Sequence, residues 1–430
     1  SVNYTCGDWL DDYTYRKMFG ITGSTAGTQT NYQMRVTVYA AAGTDSGSSV
    51  YTNYTTQTDF DDVRFTTPSG TSLDFWQENY TSNVSASFCV ECDSIAASPS
   101  VTQFLMYYGN SAATSGSNGD NTFIFFDDFP GSSLNTSKWA GDTGYAAVSG
   151  GIVTFQNGTP AWRYIYSQTA TGSSTYAVRA RANMDESDVA IGSRNAANTH
   201  KAYAYRSGST TYYLTRDGVT QSTNTTNFSI DAYKTIELDV RGGLGVYGFE
   251  DDVARSPAYM TVTPPNSVDM RADIAAAATN GIKVDWILLR KYVYPEPSIS
   301  SWGSQNTLPA PTGVSATDGT YTDKVIVSWT EPCGASGYYL YRGGTYVTSV
   351  AAGTVSYNDT GATAGTVDCG TPFGTPNIGY VSLTTVGEQA INASPVAYTL
   401  KSYAGTANST SSSSNTGFRS VGALSYQWKY

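Results

Sequence analysis

Apolar and polar residues alternate with a period of two along nearly the whole chain, and that pattern restricts it to half-buried strands. Met34, Val36 and Val38; Tyr176, Val178, Ala180 and Ala182; Ile236, Leu238 and Val240; and Val325, Val327 and Trp329 each interleave with polar or small residues. Clusters of Gly, Ser, Asn and Asp separate these runs, as turns do. Only Met270 to Ala278, with its alanine run, has the propensity for a short helix. The expected fold class is all-β, built from tandem β-sandwiches. At 430 residues the chain is long enough for roughly three domains of about 150 residues each.

Composition narrows the function. Charged residues make up 14% of the chain, against about 25% in an ordinary globular protein. Lys plus Arg number 24 and Asp plus Glu 35, a net charge of -11, which leaves no cationic surplus for nucleic acid or an anionic lipid surface. With His200 as the single histidine, a Ser-His-Asp triad could form only around that residue. No apolar run approaches the 18 or so residues that would cross a bilayer. The first residue is Ser1, which suits a mature secreted form as well as an arbitrary start. Asn-x-Ser/Thr sequons fall at Asn3, Asn53, Asn79, Asn83, Asn135, Asn157, Asn224, Asn227, Asn358, Asn392 and Asn408. Pro395 makes Asn392 the poorer acceptor, and the other ten are expected glycosylation sites on a protein of the cell exterior. Asn79, Asn83, Asn135, Asn224 and Asn227 are expected between strands, where a glycan stays in solvent.

Five cysteines divide into Cys6, Cys89 and Cys92 early and Cys333 and Cys369 late. Pairing within domains gives a Cys333 to Cys369 bridge, with Cys6 joined to Cys89 or Cys92 and one thiol left over. Cys89 and Cys92 belong to opposite faces of one strand, because Phe88, Val90 and Cys92 alternate with Cys89 and Glu91. Zinc at this pair lacks a second pair of ligands.

Two stretches read as joints. Tyr294-Pro-Glu-Pro-Ser298 through Leu308-Pro-Ala-Pro311 has the composition of a stiff linker, and Asn408 to Asn415 that of a Ser-rich, low-complexity one. The expected layout is therefore a first sandwich over residues 1–121, a second over 122–295, a linker over 296–308, a third domain over 309–400 and a joint with a terminal strand over 401–430.

The first region resembles the domain-of-unknown-function family 2341 of large secreted modular proteins. It does so through Trp9 with Tyr15-Arg16-Lys17, Asn31-Tyr32-Gln33, Asp62-Val63-Arg64-Phe65, Leu73-Asp74-Phe75-Trp76 and Met106-Tyr107-Tyr108-Gly109-Asn110. The second, from Phe126-Asp127-Asp128-Phe129 and Lys138-Trp139 to the closing Val284-Asp285-Trp286-Ile287-Leu288-Leu289-Arg290-Lys291, resembles a concanavalin-like jelly roll. The third resembles a fibronectin type III or immunoglobulin-like module through Pro311-Thr-Gly-Val314, Val325-Ile-Val-Ser-Trp329 and Tyr338-Tyr-Leu-Tyr-Arg342. None of these resemblances carries a catalytic motif, and the first family has no assigned activity.

Candidate chemistry is sparse. Gly243-Leu-Gly-Val-Tyr-Gly248 matches a dinucleotide fingerprint, but Glu250, Asp251 and Asp252 follow where a pyrophosphate needs a helix N-terminus. A glycoside hydrolase needs two carboxylates about 5 to 10 Å apart. The best cluster, Asp185-Glu186-Ser187-Asp188, puts Glu186 and Asp188 on one face and reads more simply as a solvated turn, so no catalytic residue is assigned and no enzyme is expected. Trp162, Tyr164 and Tyr166 at alternate positions share one sheet face, as either core or a platform for sugar rings. Tyr203 and Tyr205 repeat the arrangement. Asp127 and Asp128 with Asp285 supply hard oxygen ligands for calcium, which the jelly-roll resemblance allows, or cap turns. At the C-terminus Leu424, Tyr426, Trp428 and Tyr430 alternate with Ser425, Gln427 and Lys429, a strand with no partner following it. It either folds back on its own domain or adds to a neighbouring copy.

The leading expectation is a structural subunit of an extracellular glycosylated fibre or surface layer, a head-to-tail homopolymer assembled by strand donation. The alternative is a carbohydrate-binding adhesin that holds polysaccharide.

Overall fold

The computed structural model describes residues 9–155, 163–170, 173, 175–184, 188–197, 199–217, 220–225, 232–241, 245–258, 267–272, 281–364, 366–367, 391–392 and 395–420. Strands dominate all of them, as the alternation requires. No helix among the described residues is long and apolar enough to cross a membrane.

The first sandwich holds β1 (Tyr15–Thr22), β2 (Gln29–Tyr39), β3 (Ser49–Tyr51), β4 (Arg64–Thr66), β5 (Phe75–Thr81), β6 (Ser85–Ile95) and β7 (Val101–Tyr108). One sheet runs β3-β2-β6-β5, and the other carries β1-β7-β4. Between them Phe19, Ile21, Phe65, Phe104 and Met106 pack against Met34, Val36, Val38, Phe88, Val90 and Cys92. Alternation then sends Gln33, Arg35, Trp76, Glu78 and Cys89 to the outer side of the second-named pair of strands and their neighbour β5.

The second sandwich contains β8 (Phe125–Asp127), β9 (Trp139–Gly141), β10 (Ala146–Ser149), β11 (Ile152–Phe155), β12 (Arg163–Ser167), β13 (Thr175–Asn183), β14 (Val189–Arg194), β15 (His200–Ser207), β16 (Thr210–Asp217), β17 (Thr220–Thr225), β18 (Lys234–Arg241), β19 (Val246–Glu250), β20 (Val253–Ala258), β21 (Ser267–Ala272) and β22 (Ile282–Lys291). An eight-stranded sheet runs β10-β11-β22-β13-β18-β19-β20 with β8 beside β22. A seven-stranded sheet runs β17-β16-β15-β14-β21-β12-β9. Tyr176, Val178, Leu238, Val240, Ile287 and Leu289 of the first meet Ile165, Val189, Ile191, Ala202, Ala204, Tyr213 and Val268 of the second. The helix expected from Met270 onward is not what Met270, Arg271 and Ala272 form. They lie in β21, hydrogen-bonded between β12 and β14, because ladder partners on both sides outweigh a weak helical propensity. The segment after Gly245 in the glycine fingerprint is likewise a strand, β19.

The expected linker is no linker. After β22 the chain returns to the first sandwich as β23 (Ser298–Trp302) and β24 (Asn306–Thr307), which pair with β1: Phe19 faces Trp302, Ile21 faces Ile299, and Tyr15 faces Thr307. Ile299 joins the core of that sandwich. The second sandwich is thus an insertion in the first. A Pro- and Ser-containing stretch with Glu296 as its one charge suits an edge strand as well as a linker, since both are extended.

The third domain packs β25 (Thr312–Ala316), β26 (Val325–Thr330), β27 (Gly337–Arg342), β28 (Thr345–Ala351), β29 (Ser356–Asp359), a small pair β30 (Thr366–Val367) and β31 (Ile391–Asn392), β32 (Val396–Ala404), β33 (Ala407–Asn408) and β34 (Asn415–Gly417). Its sheets, β25-β26-β29 and β28-β27-β32-β33 with β34 on β32, enclose Val325, Val327, Trp329, Tyr338, Leu340, Tyr398 and Leu400. The Ser-rich stretch is part of this sandwich and no joint. Ser409 Oγ accepts from Ser402 N at 2.9 Å, Ser412 Oγ accepts from Leu400 N at 2.9 Å, and Ser412 N donates to Leu400 O at 2.8 Å. A domain boundary at residue 400 would cut through β32.

The third domain seats against the first. Trp9 N donates to Gly334 O at 2.8 Å, Asp12 N to Ala404 O at 3.0 Å, and Thr406 N to Asp12 Oδ1 at 2.6 Å. Trp9, Tyr13, Leu105, Tyr107, Leu308 and Ala404 form one apolar cluster there.

Candidate functional site

The two outer faces of the second sandwich have different chemistry. On the eight-stranded sheet, alternation about the core residues Val178, Leu238 and Leu289 turns Arg179, Glu237, Asp239, Leu288 and Arg290 outward. This face is covered by the first sandwich. Trp76 meets Trp286 and Phe126 edge-on, at centroid distances of 5.0 Å each, and Cys89, Phe123 and Leu288 complete an apolar half of the contact. Gln33 ties the two across its amide: Nε2 donates to Thr122 O at 2.8 Å, and Oε1 accepts from Lys291 N at 3.0 Å.

The other half is ionic, with Arg179, Glu78, Glu237 and Arg290 buried and Arg35, Asp252 and Glu296 at its open rim. Arg179 Nη2 meets Glu78 at 2.7 Å, and its Nη1 meets Glu237 at 2.6 Å and Asp252 at 2.8 Å. Arg35 meets Asp252 at 2.5 Å. Arg290 holds Glu237 at 2.5 Å and Glu296 at 2.6 Å, and Tyr32 donates to Glu296 at 2.6 Å. A cavity of about 430 Å³ lies among Tyr32, Arg35, Arg179, Glu237, Asp239 and Arg290.

Glu237 and Asp239 occupy alternate positions of one strand, the spacing of a hydrolytic carboxylate pair, and they were not singled out from the sequence. Burial alone would raise both. Arg290 and Arg179 more than offset it at Glu237 and hold that carboxyl well below its usual range. Burial beside the Glu237 charge pushes Asp239 up to about 8. Such a divergence accompanies acid and base roles in some enzymes. Here both Glu237 oxygens are spent on arginines, Asp239 Oδ2 lies 3.2 Å from Arg241, and the face is closed by another domain. The pair is held by Arg179, Arg290 and Arg241 of its own domain, and Arg179 in turn reaches Glu78 of the first sandwich.

On the seven-stranded sheet, Ile165 is in the core, so Tyr164 and Tyr166 stand on the outer face, half-buried. Of the two readings left open, core or platform, the structure takes the outer one for these rings. Arg194, two strands away on β14, extends across β21 and places its guanidinium 4.1 Å from the Tyr164 centroid and 4.3 Å from that of Tyr166. Tyr203 and Tyr205 share this face, since Ala202 and Ala204 point to the core. Gly192 opposite Tyr203 permits it: a Cβ there would meet the Tyr203 ring at 2.9 Å and Ala202 O at 2.0 Å. Asp188 Oδ1 accepts from Tyr205 and Ser207, each at 3.0 Å, which makes it a positioning group for the tyrosine. Tyr203 and Arg194 are buried there, at 3% and 4% exposed, so the half-buried Tyr164, Tyr166 and Tyr205 are the rings that could present a flat apolar face to a polyhydroxylated ring.

The calcium reading fails at its first residue. Asp127 Oδ1 accepts from Phe129 N at 2.8 Å and Oδ2 from the Trp139 indole at 2.6 Å, so its lone pairs fasten the start of the sandwich. Asp285 pairs with Arg181 at 3.3 Å, Asp128 brings no third ligand to it, and no metal-holding group of three such side chains occurs among the described residues. His200 Nδ1 lies 2.7 Å from Asn195 Nδ2 in a turn.

Cys89 and Cys92 are both free thiols, which removes the expected bridge from Cys6 to either. They face opposite ways, as the alternation requires: Cys92 into the first core, Cys89 into the domain contact. Burial pushes the Cys89 thiol up to about 12. Cys333 is disulfide-bonded. Cys6 and Cys369 lie outside the described residues, as do Asn3, Asn157, Asn227, Trp162, Asp185, Glu186 and the terminal Leu424, Tyr426, Trp428 and Tyr430. The sequons at Asn53, Asn79, Asn83, Asn135, Asn358 and Asn408 are exposed. Asn79 and Asn224 were expected between strands but sit in β5 and β17.

A family described as a domain of unknown function, DUF2341, matches residues 59–142, from just before β4 to just after β9 and so across the first two sandwiches. No curated protein matches. Among solved structures, one described with endo-acting O-glycanases by which human gut microbiota initiate mucin breakdown is 13% identical, covering 40% of this chain and all of that one at a TM-score of 0.33. β-Agarase A from Zobellia galactanivorans is 14% identical over 39% of this chain and 90% of its own, with a TM-score of 0.30. The carbohydrate-binding module CBM66 from Bacillus subtilis is 10% identical over 36% and 96%, with a TM-score of 0.29.

Proposed function

We propose that this chain is a noncatalytic carbohydrate-binding protein of the cell exterior, which holds a glycan on the outer face of the seven-stranded sheet. The observation that carries the reading is the placement of Tyr164 and Tyr166 outside the core with Arg194 against both rings. A sugar's apolar face would stack on the half-buried rings, which the buried Arg194 holds in place, and its hydroxyls would reach the tyrosine hydroxyls. The test is a glycan array followed by calorimetry on the intact chain. Tyr164→Ala with Tyr166→Ala should weaken binding at least tenfold with the melting temperature held within a few degrees. Absence of binding, or binding that the double variant leaves intact, overturns it.

The second reading is the fibre or surface-layer subunit. It is favoured by β23, since the chain already completes one sandwich with a strand from beyond another domain, the operation that strand donation repeats between copies. Electron microscopy of the intact protein decides: filaments that vanish on deletion of residues 421–430 support donation, and filaments that persist refute it.

A further inference from the structure

Three exposed apolar side chains crowd one end of the first sandwich: Tyr54, 64% exposed, Tyr80, 54%, and Val84, 53%. Each is the middle residue of a sequon, Asn53-Tyr54-Thr55, Asn79-Tyr80-Thr81 and Asn83-Val84-Ser85. The backbone brings them together. Tyr54 N donates to Ala40 O, Ala40 N donates to Val84 O at 3.0 Å, and Asn83 N donates to Thr58 O at 2.7 Å. Thr81 and Ser85 face each other at the end of the β5–β6 hairpin, with Tyr80 opposite Ala86. Asn53, Tyr54 and Asn83 all have positive φ, at 53°, 60° and 55°, so tight turns hold these side chains out from the sheet. The other exposed sequons, at Asn135, Asn358 and Asn408, have Thr, Asp and Ser in the middle.

We propose that Asn53, Asn79 and Asn83 carry N-linked glycans whose first sugars pack on Tyr54, Tyr80 and Val84 and cover this patch. Asn53–Tyr54 and Asn83–Val84 lie in turns, so there the glycan stem emerges beside the side chain it would shield; Asn79 and Tyr80 are consecutive in β5 and point to opposite faces, so Tyr80 is covered from the neighbouring turn sites and not from its own. Exposed apolar side chains gathered at one end of a sandwich call for a cover, and the sequons that would supply it lie in the same three tripeptides. The proposal is independent of what the second sandwich binds.

The experiment is glycopeptide mapping of the protein from its natural source, followed by enzymatic trimming of the folded chain with an apolar fluorescent dye and sedimentation as readouts. Occupancy at two or three of the sites, with dye fluorescence rising severalfold on trimming, is the expected result. Tyr54→Ser, Tyr80→Ser and Val84→Ser together should abolish that rise in trimmed protein. Occupancy at fewer than two sites, a dye signal that trimming does not change, or an unmodified natural protein that dimerises through the patch overturns the proposal.

Discussion

The first sandwich makes two contacts of opposite character. Toward the second sandwich it buries charge: Arg179 is 4% exposed and touches three carboxylates from both domains. Toward the third domain it uses backbone and an apolar cluster, with Trp9 N donating to Gly334 O at 2.8 Å, Asp12 N to Ala404 O at 3.0 Å, and Ala404 packed in one cluster with Trp9, Tyr13, Leu105 and Tyr107. A buried ionic contact tolerates few alternative geometries and responds to pH, whereas an aromatic one depends on filled volume.

The largest effect should come from Arg179→Ala, which leaves Glu78 with only Arg35 at 3.6 Å and takes one of two arginines from Glu237, and should cost about 3 to 5 kcal/mol in chemical denaturation. A loss below about 1 kcal/mol would mean the network is wet. Trp9→Ala should cost about 3 kcal/mol by cavity formation at the other contact, with no dependence on pH between 5 and 8. The pH response itself belongs to Asp239. Its folded pKa, about 8, exceeds the ordinary 3.8, so the folded state binds the extra proton and stability falls as pH rises from about 4 to about 8. Glu237 acts in reverse, contributing stability above its ordinary 4.5 that is lost on acidification. The melting temperature should therefore peak on the acid side of neutrality, and Asp239→Asn should flatten the decline toward pH 8. The smallest effect is expected for Asp12→Ala, at most about 1 kcal/mol, from one hydrogen bond to Thr406 N at an exposed site.

Strands were legible wherever alternation ran for several residues, because one buried face is enough to produce it: Met34, Val36 and Val38, or Val325, Val327 and Trp329, lie in cores as read. The errors share a cause. Pro297, Ser298 and the run around Ser412 report that the backbone is extended, and an edge strand and a linker are both extended; only the partner distinguishes them. Asp127 looked like a ligand because a carboxylate has lone pairs, although Trp139, whose indole takes one of them, stood twelve residues away in view. The Glu237-Leu-Asp239 spacing was visible too. What could not be read was that a second domain supplies Glu78 and Arg35 to the cluster around it. For the aromatic stripe, periodicity gave a shared face for Tyr164 and Tyr166 and had no means of saying which side of the sheet held the core.

The return of the chain through Ser298–Trp302 has a consequence for biosynthesis. When a ribosome has delivered residues 1–121, every strand from β1 to β7 exists and β7 can pair with β1, yet the other edge of β1 lacks β23 and β24. Roughly another 180 residues must emerge before Ile299 can enter the core beside Ile21, at the synthesis rates of about 5 to 20 residues per second. The domain begun first is closed only after the one inserted in it has been made. During that interval an unpaired edge, with Arg16 and Lys17 near one end as its charges, is open to an extended chain nearby. A nascent polypeptide of this kind needs either a fast-folding insertion or a companion that occupies the edge until its own strand arrives.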